Sequence, residues 1–498
     1  MNTPTLPSFY THVHVKGNQL FVRGVEFGKS ACRKVRYAPT LYIPSIDLPL
    51  SGWSSIDETP LKPLKFEDIY AAKDFVKEYA DVVGMKLHGL PRFVYSYINE
   101  QFPHSVPFDS RYIRTVFLDI EVNSSNGFPH VTEAAEEITA ITVKDASGYH
   151  AFGCGPFVSD GSVSRLTYTK CLNEYDLLTK FLDFWTGGGQ GQDHPDIVTG
   201  WNITGFDMPY LLKRIASVIG QPSANRLSPW GLVSLRDGFD KMGKETIFAD
   251  IVGVSNLDYL ELYRKFTYNQ QESYKLDHIA FVELGERKKD FADYATLDAL
   301  YRENHQQFME YNIHDVMLVE RIEAKMKLIE LALQIAYDAK VNYEDVFMQV
   351  RLWDVMIHNY LYRRRIAVPT SNVGHKEETF VGAYVKEPQV GRHVWILGVD
   401  AAALYPNLIR MFNISPDTLL NECHSKLTID DLLEDRLPPI PEGKCLAPSG
   451  WLFRTDKTGF LPEMMEELLG ERDAAKQKML EAKRQLEQID AELSKRGV

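Results

Sequence analysis

"RTVFLDIEV", residues 114–122, decides how this chain folds. It is an apolar run bounded upstream by the turn-rich "FPHSVPFDS" and downstream by "NSSNG", the length and punctuation of a buried strand. Side chains at i and i+2 of a strand share a face, so Asp119 and Glu121 project together and Ile120 points the other way. Two carboxylates on one face of an apolar strand repel each other and lose hydration. The sequence therefore predicts a cation beside them, and a hard metal ion suits two oxygen ligands.

Two further segments supply acids. In "WNITGFDMPYLLKR" (201–214), Asp207 precedes Met208 and Pro209, which open a stretch of helical period. A helix N-cap is the structural role such an Asp ordinarily plays, with Pro tolerated in the first turn. That role is compatible with a ligand role, because a strand-to-helix junction lies on the rim of an α/β sheet, where ligands bind. Asn202 and Phe206 shape the same turn. The third segment, "EYNIHDV" (310–316), sits in one long helical pattern running from Arg302 to Ala339. Tyr311 and Asp315, four apart, share a helix face, and His314 lies round the helix from them. Each acid is ordinary alone. In conjunction, Asp119, Glu121, Asp207 and Asp315 are the ligand set with which a pair of divalent ions about 3.5–4 Å apart can flank a scissile phosphate.

In this order the three segments resemble the 3′-to-5′ proofreading exonuclease motifs of family B DNA polymerases, and the chain is similar to the amino-terminal part of those of T-even-like bacteriophages. The motif subtype is the one with Tyr before the last Asp; the His of the other subtype would fall at Glu310. The similarity continues through "SNLDYLELYRKFT", "SYKLDHIAFVELG" and "RENHQQFMEYN". The resemblance implies a multidomain α/β protein. Its expected parts are an amino-terminal α+β domain (1–113 and 326–370), an RNase H-like exonuclease domain of mixed sheet and flanking helices (114–325), a partial palm (371–457) and the first fingers helix (458–498). It further implies that Asp119, Glu121, Asp207 and Asp315 bind two Mg2+ or Mn2+ ions, which activate a water and stabilise the departing 3′ oxygen. Tyr311 would orient that water, and a basic residue of "GERKKDFADY", assigned here to Lys289, would assist.

A second feature follows. "HVWILGVD" (393–400) reads as an apolar strand with Asp400 at its carboxyl end. "DAAALYPNLIR" resembles the first palm motif of the same family, which implies that Asp400 holds the polymerase metals and that Leu404 and Tyr405 contact the substrate. Tyr405 would be the steric gate against a 2′-hydroxyl; Ala403 stands where the family often has Ser. The preceding "FVGA", with Gly382 and Ala383, resembles the loop joining the two catalytic tracks. From Met411 to Val498 there is no Lys-rich fingers helix and no Asp-Thr-Asp hairpin, so Asp400 alone cannot complete a two-metal polymerase site.

The last stretch reads as one long helix, with Ala475, Met479, Ala482, Leu486, Ile489 and Leu493 forming a heptad seam that needs a partner. The resemblance places the first fingers helix here and Arg472 at a triphosphate-contacting position. One reading of the seam is a self-dimerising coiled coil. The other, adopted here, is a polymerase split in the fingers, whose second polypeptide supplies the missing helix and carboxylate and the sliding-clamp contact. DNA primer-template and single-stranded DNA are then the expected partners.

Composition sets bounds. With 498 residues, 44% of them hydrophobic, and a net charge of -13, the chain is long enough for several cores and is no general DNA-coating protein. Cys32, Cys154, Cys171, Cys423 and Cys445 show no paired spacing, which argues against zinc and disulfides. No signal-peptide core and no membrane-length apolar run occur, so the cytosol, by resemblance that of a phage-infected bacterium, is the expected compartment. Phe9, Tyr10, Tyr37, Tyr42 and Phe93 are read as core rather than as a base-stacking platform. "SPWGLVSLRDGFDKMGKETIFADI" (228–251) reads as a hairpin, and "TGGGQGQDHPD" (186–196) as a surface loop lacking the Lys of a phosphate loop. The competing functional class is an interaction module, such as an RNA-binding repressor, with a vestigial nuclease site. The intact set of carboxylates with Tyr311 favours the enzyme.

Overall fold

The computed structural model describes residues 7–45, 52–79, 85–125, 129–187, 194–239, 245–289, 296–370, 385–423 and 436–496, with 82, 127, 243, 294, 427, 428, 430, 431 and 434. The "FVGA" loop with Gly382 and Ala383, and residues 188–193 of the glycine-rich stretch, lie outside them.

The chain divides into two compact units, residues 1–43 with 63–363 and residues 44–62 with 364–498. The amino-terminal strands and the sheet that contains Thr115–Val122 share one core, which runs from Phe9 through Phe117 to Val355.

The first unit is built on a six-stranded mixed sheet of the RNase H-like type. Its strand order is Leu166–Lys170, Gly148–Gly153, Ile138–Asp145, Thr115–Val122, Ile197–Thr199, Ser255–Asn256. Thr115–Val122 pairs antiparallel with Ile138–Asp145 and parallel with Ile197–Thr199. Its alternation separates two layers. Val116, Leu118, Ile120 and Val122 enter a core with the helices Glu174–Trp185 and Asp207–Val218. Phe117 faces the other layer, where the helix His305–Met326 packs. Asp119 and Glu121 share its parity, so they face that helix.

The 302–339 pattern is two helices, not one. Lys327, in the left-handed region at φ 54°, ends His305–Met326, and Leu328–Ala339 follows. The aromatics Phe9, Tyr10, Tyr37, Tyr42 and Phe93 are buried, as expected of core residues. The 228–251 segment forms the antiparallel pair Val233–Phe239 and Glu245–Ile251. Among the described residues, Cys32, Cys154, Cys171 and Cys445 form no disulfide.

The amino-terminal strand Gln19–Glu26 is joined to the sheet by Arg23, which is fully buried. Its guanidinium donates to the carbonyls of Pro195 (2.6 Å), Gly253 (2.7 Å) and His194, and lies 3.3 Å from Asp196. Asp196 also accepts from the Thr11 hydroxyl at 2.8 Å and the Arg114 N–H at 2.9 Å. Removing one partner of a buried pair leaves the other charge uncompensated. Arg23→Met is therefore expected to cost about 3–5 kcal/mol in denaturant unfolding, with much of the loss recovered when Asp196→Asn is added. A cost under about 1 kcal/mol, the range of exposed pairs, would contradict this role.

In the second unit, Leu419–Cys423, Trp451–Arg454 and Lys444–Leu446 form a small antiparallel sheet with Trp451–Arg454 in the middle. The helix Leu404–Met411 packs on Phe460–Arg496, with Arg410 3.1 Å from Glu466. The expected strand at 393–400 is not formed. Trp395 is 100% exposed, and Val394, Ile396, Leu397 and Val399 are nearly as open. A strand exists only through its neighbours' hydrogen bonds, and no strand among the described residues pairs with this run. The helix Phe460–Arg496 buries Phe460, Pro462, Met464 and Met465, while the seam residues Met479, Leu486, Ile489 and Leu493 are 41–61% exposed. Among the described residues, no helix is long and apolar enough to cross a membrane.

Candidate active site

Across the sheet Asp119 pairs with Thr142 and Glu121 with Ala140, which holds both carboxylates toward the helix His305–Met326. That helix returns Tyr311, Asn312 and Asp315 on one patch, since positions three and four apart are neighbours on its surface. One oxygen each of Asp119, Glu121 and Asp315 lies within 4.8 Å of the others.

Asp207 approaches from the opposite layer and is not part of that 4.8 Å cluster. Nor is it an N-cap: the helix Asp207–Val218 begins after Phe206 without a side-chain cap. Asp207 Oδ1 instead accepts the N–H of Ile120 at 3.1 Å. The reason is sheet geometry. Pairing with Ile197–Thr199 stops at Phe117, so the amides farther along Thr115–Val122 need another acceptor on that side. Asp258 secures the turn before Asp207, accepting from the N–H groups of Asn202 (3.1 Å) and Thr204 (3.0 Å) and the Thr204 hydroxyl (2.7 Å). Asn202 sits at φ 66°, and the Phe206 ring stacks on Tyr210 at 5.3 Å.

The lysine of the site is Lys288. Its ammonium lies 2.5 Å from Asp315 Oδ2 and 3.2 Å from the Tyr311 hydroxyl. Lys289, the residue expected there, turns away to Glu310 at 2.7 Å. Successive side chains of extended backbone point in opposite directions, and Asp277, which accepts the Lys288 N–H at 3.0 Å, fixes which one faces inward. Asn312 was also missed: it is fully buried and donates from Nδ2 to Asp119 Oδ2 at 2.7 Å. Nothing in the sequence marks an amide between Tyr311 and Asp315 as a site residue. His314 Nδ1 is buried with no hydrogen-bond partner among the described residues.

The electrostatics of the cluster suit a cation. Burial, then Glu121, Asp207 and Asp315, hold the Asp119 carboxyl well above its usual range, with Lys288 opposing. Burial and Asp315 push Glu121 up to about 8. Burial carries Asp207 up to about 7 against the Ile120 hydrogen bond. Burial also raises Asp315, although Lys288 and Tyr311 both lower it. Burial works to lower Lys288, but Asp315, Tyr311 and Asp119 carry it well above an ordinary lysine. Asp315 Oδ1 is buried with no hydrogen-bond partner among the described residues. One ammonium does not balance four acids, and their hard oxygens fit a divalent cation of the Mg2+ or Mn2+ kind.

A group whose folded pKa is raised contributes stability below its unfolded pKa and loses it as pH rises through the folded value. For Glu121 and Asp207 that window runs from about 4.5 and 3.8 up to about 8 and 7. In EDTA the melting temperature is expected to fall from pH 5 to pH 8. Mn2+ should restore it at pH 8 by about 2.7 kcal/mol at a hundredfold excess over Kd, and should do little at pH 5, where protons hold the ligands. Equal Mn2+ increments at both pH values would contradict the assignment.

Comparison with known proteins decides the family. Residues 99–279 match the model "DNA polymerase family B, exonuclease domain", and residues 345–492 match "DNA polymerase family B". The chain belongs to DNA polymerase family B. It is 30% identical over 505 residues to the DNA-directed DNA polymerase of Escherichia phage RB69, covering 96% of this chain and 55% of that protein. It is 29% identical to that of Enterobacteria phage T4, covering 99% and 56%, and 28% identical over 311 residues to the DNA polymerase delta catalytic subunit of Arabidopsis thaliana, covering 59% and 27%. The chain thus spans about half the length of the phage polymerases it matches.

The family B exonuclease match contains Asp119, Glu121 and Asp207, and the helix bearing Tyr311 and Asp315 follows it. In the second unit, the polymerase match contains Asp400, Leu404, Tyr405 and Arg472. Asp400 is exposed, and Tyr405 is exposed at the start of its helix. Arg472 is exposed, 3.4 Å from Asp473. No second carboxylate-rich group of metal-binding geometry is found among the described residues.

Proposed function

We propose that this chain is a proofreading 3′-to-5′ DNA exonuclease that also carries one part of a DNA-polymerising site. The observation that carries the reading is the convergence of Asp119, Glu121 and Asp315 within 4.8 Å beside Tyr311. Asp119, Glu121, Asp207 and Asp315 would hold two Mg2+ or Mn2+ ions. When bound, such ions supply Lewis-acid activation of water and stabilisation of the leaving 3′ oxygen.

The protein's own groups do the positioning. Burial and Asp315 raise the Tyr311 hydroxyl, so it keeps its proton at neutral pH and orients a water by hydrogen bonding. Lys288 offers positive charge to the phosphate oxygens. Asn202 and Phe206, on the turn before Asp207, line the approach of the terminal nucleotide.

The rest of the reading is equally our own. It keeps the four-part division into amino-terminal domain, exonuclease, partial palm and first fingers helix. A second polypeptide completes palm, fingers and thumb and carries the sliding-clamp contact; Asp400, Leu404, Tyr405 and Arg472 then serve synthesis in the infected bacterial cytoplasm. The open 394–399 run and the bare helix seam support a missing partner. The interaction-module alternative has no support, since Asp119, Glu121 and Asp315 lie together and Asp207 reaches the same strand at Ile120.

The test is digestion of single-stranded DNA by the chain with Mg2+ or Mn2+. Stepwise release of mononucleotides from a labelled 3′ end is the expected result. Absence of digestion, or release from the 5′ end, would overturn the reading.

A further inference from the structure

We infer that Asn312 is a positioning residue that fixes Asp119 in its ion-binding orientation, an inference that rests on the exonuclease reading above. Asn312 is fully buried on the helix His305–Met326, between Tyr311 and Asp315. Its Nδ2 donates to Asp119 Oδ2 at 2.7 Å. The amide must present its NH2 to the acid, because its carbonyl oxygen would be repelled by it. A single neutral side chain thereby ties Asp119, on the strand Thr115–Val122, to the helix that carries Asp315, another acid of the cluster.

The chemistry of the alternatives explains why an amide suits this place. A second lysine would neutralise the acids and compete with the ions. An acid would add to the repulsion. An apolar residue would leave the Asp119 carboxylate free to rotate, and groups that orient ligands are worth about 10–100-fold in affinity or activity. The Asn312 Oδ1 atom is buried without a partner among the described residues, an expense that packing alone does not require. Leucine, with the same number and branching of side-chain heavy atoms, would leave no buried polar atom unpaired if the position served only the core.

The experiment compares the full chain with Asn312→Leu and Asn312→Asp by three measurements. These are Mn2+ affinity from the free-ion electron paramagnetic resonance signal, steady-state digestion of a single-stranded oligonucleotide, and melting in EDTA. Asn312→Leu is expected to weaken Mn2+ binding by about 10–100-fold and to lower kcat by a similar factor at fixed sub-saturating Mn2+. KM for the oligonucleotide should be unchanged, and saturating Mn2+ should recover most of the rate. Asn312→Asp is expected to melt lower in EDTA at pH 8, from added repulsion. Unchanged Mn2+ affinity in Asn312→Leu overturns the inference, whether or not its melting temperature falls, because a purely structural role would move only the latter. If the unaltered chain binds Mn2+ but digests nothing, the exonuclease reading fails while the affinity comparison still decides the role of Asn312. If it binds no Mn2+, both fall.

Discussion

The double variant Asp119→Ala plus Glu121→Ala is expected to lose 3′ digestion by three to four orders of magnitude. Bound ions contribute several kcal/mol of transition-state charge stabilisation, and each 1.4 kcal/mol or so is tenfold in rate. Removing two of the three acids that meet within 4.8 Å leaves only Asp315 and the more distant Asp207. The same change should raise, not lower, the melting temperature in EDTA at pH 8. The change removes the two buried carboxyls whose ionisation burial and the neighbouring acids oppose, so their cost is no longer incurred at this pH. At pH 5 the gain should vanish, because the unaltered carboxyls are then protonated. Undiminished digestion by the double variant would remove the assigned site, and a lower melting point at pH 8 would remove the electrostatic account of it.

Primer extension should require a second polypeptide equivalent to the remainder of the phage polymerases, of which this chain spans 55–56%. Alone, the chain is expected to extend no primer, since Asp400 is one exposed carboxylate and a two-metal site needs more. On the split reading proposed above, a second polypeptide is expected to give the exposed 394–399 run strand neighbours and the seam of Met479, Leu486, Ile489 and Leu493 a facing helix. Asp400→Ala should then cut extension by about a thousandfold or more, by the same loss of metal stabilisation, and leave 3′ digestion within about twofold. Extension by the isolated chain would defeat this account. So would a complex in which Asp400→Ala synthesises normally.

Much of the first unit was legible in advance because its signals are local. Asp119 and Glu121 lie on one side because strand periodicity is two, and Tyr311 with Asp315 because a helix brings fourth neighbours together. The buried aromatics and the 228–251 hairpin followed from the same kind of evidence. The misread features share a cause. At Asp207, the expected cap was displaced by a tertiary acceptor role toward Ile120, set by where a neighbouring strand stops. The 393–400 run had every local mark of a strand and formed none, because strand formation depends on a partner. The helical pattern across Lys327 was continuous in its apolar spacing, yet the backbone turned left-handed there.

The amino-acid sequence by itself determined which acids exist, which share a face and what chemistry four of them can do, since those properties follow from covalent periodicity and side-chain pKa. Only the tertiary structure decided that Lys288 rather than Lys289 enters the site, that Asn312 ties Asp119 to the opposing helix, and how near one another the carboxylates come. Those outcomes depend on which segments meet across the sheet, and contact between residues almost two hundred positions apart leaves no mark in the spacing of either.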